Sequence, residues 1–167
     1  MIRTTSITCD TSAPRVAWWG MHRESDNAPT TPSADGMRAY VTQFVDRLTE
    51  RSRLPLDYSV ASLRLVDLIV DGLRRDRPDR ARVALTLQGL GAYTGEVIVR
   101  RAGGRWVDFD AGQREFFRQS VGIRMPDGRA WNPLGKVVNR FDTGPEESVQ
   151  RFYLMLHGRA RTPVRCL

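Results

Sequence analysis

From Ser33 onward apolar residues recur at three- and four-residue steps: Met37, Tyr40, Val41, Phe44, Val45 and Leu48. That spacing predicts one stripe of an amphipathic α-helix, with Arg38, Arg47, Glu50 and Arg51 on its polar side. Leu54-Pro55 predicts the stop, because the residue before a proline is pushed out of the α region. A second helix is expected from Ser59 as N-cap, with Val60, Leu63, Val66 (or Leu65), Ile69 and Leu73 facing the core. Asp67 and Asp71, one turn apart on its other side, are read as a solvated face. The third and longest helix is predicted from about Asp79 to Ala102, with Val83, Leu87, Leu90, Val97 and Ile98 apolar and Gly103-Gly104 as its stop. Glycines at 89, 91 and 95 are costly inside a helix, so packing must compensate. Gly91 and Gly95 share a face, which predicts close approach of another backbone and makes this the central helix.

Then the period changes. "RWVDFD" and "SVGIRM" alternate, with Val107 and Phe109 on one side and Val121, Ile123 and Met125 sharing another. Pro126-Asp127-Gly128 predicts a turn and "RAW" a returning strand, hence a hairpin. "AGQREFFRQ" is expected to be a loop or single helical turn whose Phe116 and Phe117 cap the sheet. Asn132 as N-cap and Pro133 at the first position start a helix with Leu134, Val137, Val138 and Phe141 apolar and Lys136 and Arg140 polar. Thr143 and Glu146 have capping-box spacing before a last helix with Val149, Phe152, Tyr153 and Leu156, ending at Gly158. The fold class expected is α+β, a helical N-terminal half packed on a small antiparallel sheet with two C-terminal helices. Residues 1–33 are expected to be a loosely ordered tail, residues 34–158 a single domain, and residues 159–167 a basic C-terminal tail.

Composition changes this picture little. A chain of 167 residues, 41% hydrophobic and 27% charged, suits one domain with a buried core. No apolar run approaches the roughly 18 residues of a membrane span, and the N-terminus lacks the apolar region of a secretory signal. No membrane is expected, and the cytoplasm is the default. Adjacent Trp18 and Trp19 rarely stay in water and are expected to dock on the domain or a partner. Cys9, Cys166, His22 and His157 are isolated, so neither zinc nor another metal or cofactor is expected, and the thiols are expected to stay reduced.

The charge of +7 and pI of 10.4 require that nucleic acid be weighed. The positives are spread and interleaved with acids. The densest stretch, Arg77 to Arg105, offers Arg77, Arg80, Arg82, Arg100 and Arg101 as a basic helical face, for which solvation is the simpler reading.

Candidate chemistry is thin. Lys136, the only lysine, follows Gly135, but a phosphate loop would need glycine at Ala130 and a hydroxyl at Val137. A helix start with Lys136 in its first turn could still hold an anion. "GLGAYTG" departs from the dinucleotide fingerprint in its last interval and lies in a helical period. Glu96 beside Gly95 is expected to be partly buried and paired with Arg100, a structural ion pair before a catalytic acid. Asp108 and Asp110 share a strand face with Trp106, too few ligands for a hard cation. No motif links Ser, His and Asp into a catalytic set, so no catalytic residue is assigned.

"LGAYTGEVIVRRAGGRWV", "VGIRMPDGRAWNPLGKVVNRF" and "GPEES" before a helix resemble, in order and spacing, a family of small bacterial, actinobacterial-type α+β domains without an assigned function. The resemblance spans roughly Leu56 to Gly158. It implies an α+β domain, a loose association with immunity and interaction proteins, and no transferable catalytic residues. The leading expectation is an intracellular, non-enzymatic protein–protein interaction module of immunity or regulatory type. Its ligand or partner surface would draw on Glu96, Trp106, Asn132, Lys136, Arg140, Trp18 and Trp19, with another protein as partner. The alternatives are a nucleic-acid-associated protein using the helical arginines and, behind it, a small-anion-binding enzyme around Glu96, Lys136 and Arg140. Oligomeric state is left open.

Overall fold

A computed structural model describes residues 31–52, 54–75 and 78–158. Trp18, Trp19, Cys9, Cys166, His22 and Arg77, with most of the expected N-terminal tail and all of the C-terminal one, lie outside the described residues. The described chain is α+β. A short turn at Ala34–Gly36 leads into α1 (Met37–Ser52), followed by α2 (Leu63–Arg75) and α3 (Arg80–Ala102). Next come β1 (Arg105–Asp108), α4 (Ala111–Phe117), β2 (Val121–Arg124) and β3 (Ala130–Trp131). Helix α5 (Pro133–Asp142), a short turn at Pro145–Glu147 and α6 (Val149–Gly158) close the domain.

Helix α3 is the hub, and its sequence explains why. Asp79 caps it by accepting from the Ala81 N–H at 3.1 Å, and Gly103 ends it in the left-handed region at φ 70°. Every residue from Gln88 to Ile98 is buried. A Cβ at Gly91 would lie 2.7 Å from Cα of Leu134, so the missing side chain is what lets α5 cross against the α3 backbone. Gly95, on the same face, is covered by the Trp106 ring and Pro133. Helix α1 packs Met37, Val41, Phe44, Val45 and Leu48 into the core shared with α2, α3, α5 and α6. Burying each such side chain contributes roughly 1.5–3 kcal/mol before entropy is counted.

The sheet runs β1-β2-β3, all antiparallel. Cross-strand partners share a face and alternate along each strand. Trp106, Ile123 and Trp131 therefore form one row, facing the helices. Arg105, Arg124 and Ala130 form a row on the outer face. Gly128, at φ 84°, completes the predicted hairpin turn, and its N–H donates to Met125 O at 2.9 Å.

Four local expectations are corrected. Helix α2 starts at Leu63 because Ser59 is used in a preceding turn, its Oγ accepting from Ser62 N–H and its carbonyl from Ser62 Oγ. The segment after Asp110 is a two-turn helix, α4, set by a capping box between Asp110 and Gln113. Only Phe117 turns toward the sheet, stacked on Phe109 at 4.8 Å, whereas Phe116 is 79% exposed. Finally, Thr143 and Glu146 do not cap the last helix. The short turn intervenes, and the cap comes from Ser148, whose Oγ accepts from Arg151 N–H at 3.2 Å, together with Asp67 on α2.

Candidate functional site

The sequence-predicted residues fall into three polar clusters on different parts of the fold. The first surrounds Glu96, 1% exposed in the middle of α3. Its carboxylate accepts from Arg100 Nε at 2.8 Å and Trp106 Nε1 at 3.2 Å, with Arg38 Nε at 3.6 Å. A buried carboxylate is tolerable only with such partners. The Arg100 guanidinium lies 3.7 Å above the Tyr58 ring, and Arg101 donates to Tyr58 O at 2.9 Å. Tyr58, strained at φ 58°, donates its N–H to Tyr93 Oη at 2.9 Å, and Tyr93 also bonds Ser62 Oγ. Burial pushes the phenol of Tyr93 above its ordinary range, and that of Tyr58 likewise. Glu96 and Trp106 are thus brought together, as parts of a clamp joining α1, α3 and β1.

The second cluster overturns two expectations. Arg140 was expected on a polar face, and Asp67 and Asp71 on a solvated one. Instead Arg140 is 2% exposed, donating to Asp67 at 3.1 Å and Asp71 at 2.8 Å. Asp67 also accepts from Val149 N–H, Gln150 N–H and Ser148 Oγ, which makes it the remote N-cap of α6. Arg140 Nη1 has no hydrogen-bond partner among the described residues. Sequence periodicity could not reveal this cluster, because its partners are 69 to 83 residues apart.

The third cluster holds Lys136, which pairs with Glu147 and lies 5.5 Å from the Phe152 ring centroid. Phe152 meets Trp131 edge-on. Asn132 caps α5 through Gly135 N–H at 2.8 Å and donates to Phe117 O at 3.0 Å, fastening α4 to α5.

Glu96 and Arg140 are interior groups, so neither can belong to a contact surface of the folded domain. Glu96, Lys136 and Arg140 also do not converge, and both cations are neutralised by carboxylates of the chain itself. Among the helical arginines, Arg80 pairs with Asp142 at 3.3 Å, Arg100 with Glu96, and Arg101 with a carbonyl, leaving Arg82 exposed. Asp108 accepts from Ala34 N–H and Asp110 caps α4, so both are committed locally. No group of three metal-ligating side chains occurs among the described residues. A cleft of about 200 Å³ is lined by Thr31, Arg80, Leu87, Gln88, Gln119 and Leu134 among others, and its lining carries no carboxylate, thiol or imidazole. No described helix is long and apolar enough to cross a membrane.

Sequence reasoning missed two surface features. Arg105 and Arg124 face each other directly across the ladder, and five large apolar side chains remain in solvent. Strand pairing would have revealed the first; the second depends on which helix faces pack. In comparisons with known proteins, no family model, curated protein or solved structure matches the chain.

Proposed function

We propose that the protein is a non-enzymatic interaction module that binds another protein through α2 and α6. One observation carries the reading: these two packed helices leave Leu68 at 64%, Leu154 at 55% and Met155 at 43% exposure. Apolar side chains displayed on neighbouring helices gain free energy when a partner covers them. The polar clusters support the same reading from the other side. Their acids and bases are held by each other and by backbone groups, so they rigidify the domain and present no free nucleophile–base pair.

Affinity capture from cell extract, with and without nuclease treatment, tests the reading, with wild-type protein beside Leu68→Glu and Leu154→Glu. Both positions are exposed, so each substitution should shift stability by only about 0.5 kcal/mol. One protein recovered near stoichiometrically by the wild type and lost with both variants is expected. Equal capture by the variants, or capture abolished by nuclease, would refute it.

A further inference from the structure

The outer face of the sheet carries a charge arrangement that the fold does not need. Arg105 and Arg124 are direct cross-strand partners, an unfavourable pairing of like charges. Neither side chain has a hydrogen-bond or ion-pair partner among the described residues, and Arg124 Nε is shielded from solvent with its hydrogen bond unmade. The residues beside them on this face, Val107, Gly122 and Ala130, supply no carboxylate. Of the acids in nearby sequence, Asp108 alternates to the other face and bonds Ala34. Asp110 is spent capping α4, and Asp127 is paired with Arg129 at 2.6 Å. Glu115 lies on α4 itself.

A ladder of aromatic rings begins two residues from Arg124 on the same face. Gly122, two residues from Arg124 and therefore roughly 7 Å along the same face, is covered by Phe109. Phe117 stacks on Phe109 at 4.8 Å, and Phe116 meets Phe117 edge-on at 4.9 Å. Phe116 ends this ladder 79% exposed. A guanidinium pair with an exposed ring at the far end of the adjoining aromatic ladder offers phosphate contacts and a base-stacking platform more than one nucleotide apart along a single strand. The chain's charge of +7 adds a long-range attraction for such a polyanion.

We propose that this face, Arg105 and Arg124 with Phe116, binds single-stranded nucleic acid, the arginines holding phosphates and Phe116 stacking a base. It is independent of the protein partner proposed above, which uses α2 and α6. It also differs from the helical-arginine face read in the sequence, where Arg80 and Arg100 are already paired.

The test is fluorescence anisotropy of the full chain with a labelled oligothymidylate, an oligouridylate and a duplex of equal length, over a range of salt. Arg105→Glu exchanges a like-charge pair for an ion pair across the ladder, so its urea midpoint should hold or rise. Its affinity should nevertheless fall, with the salt slope reduced by more than about one charge. Phe116→Ala removes an exposed ring and should weaken single-strand binding roughly five- to hundred-fold with folding intact. The proposal is overturned if the wild type binds neither strand, if the duplex binds equally well, or if both variants bind like the wild type. Displacement of the oligonucleotide by polyglutamate at equal charge would also overturn it, assigning the face to an acidic protein segment.

Discussion

At Gly91 the missing Cβ sets the distance between two helices, whereas at Gly72 nothing lies within 4 Å of where a Cβ would be. The same substitution should therefore have opposite signs. Gly72→Ala gains helix propensity and should stabilise the protein by about 1 kcal/mol. Gly91→Ala gains as much locally but drives a methyl against the Leu134 backbone, which cannot rotate away. It should destabilise by about 2 kcal/mol net, since overpacking costs about 1–3 kcal/mol or more. Urea unfolding of the pair checks this, and a stable Gly91→Ala would mean that α5 can shift. Glu96 carries a further expectation at this scale. Glu96→Gln keeps the shape but removes the charge facing Arg100 and Arg38, so the loss should be about 2 kcal/mol. Because the Arg100 and Arg38 side chains are 41% and 73% exposed, part of that loss should be screened away in high salt.

Among the elements, α6 depends most on something outside itself. Its first two N–H groups are held by Asp67, which also pairs with the buried Arg140. Asp67→Ala should cost about 3 kcal/mol, combining a lost cap of about 1 kcal/mol with a buried cation left to Asp71 alone. Ser148→Ala should cost only about 1 kcal/mol. The two losses separate by a double-mutant cycle with Arg140→Met. A strong coupling energy between positions 67 and 140 is expected, and additivity would show that only the cap matters. Amide exchange should localise the Asp67→Ala defect to α6 before the rest of the domain opens.

For the molecule as a whole, the tyrosines report burial together. The chain has 4 tyrosines, and burial raises the phenol of each, Tyr40, Tyr58, Tyr93 and Tyr153, above 10.0. The neutral phenol is the form the fold favours. This contribution is fully present below the unfolded value of about 10 and is lost as pH rises through the folded values. Near-ultraviolet titration should show little phenolate up to about pH 10, then a steep rise that coincides with loss of circular dichroism. Reversible ionisation of several phenols near pH 10 in the folded protein would contradict the packing described.

Local sequence determined those features whose physics is local. The apolar stripes of α1 and α3 place their residues in or against the core, as do Leu134 and Val137 of α5, and Asp79, Asn132 and Gly103 terminate helices as their chemistry dictates. The Pro126-Asp127-Gly128 turn and the closeness permitted by Gly91 and Gly95 were equally legible, since each depends on one residue's steric freedom. Only tertiary structure decided where the charges go. Asp67, Asp71, Lys136 and Arg140 occupy positions that helical periodicity assigns to solvent, yet long-range packing turns them into a cap and three ion pairs. The same packing places two arginines face to face and leaves Phe116 in water, which strand alternation alone cannot specify until β1 and β2 are in register. The candidate surfaces lie in that second category because a partner meets what the fold leaves uncovered.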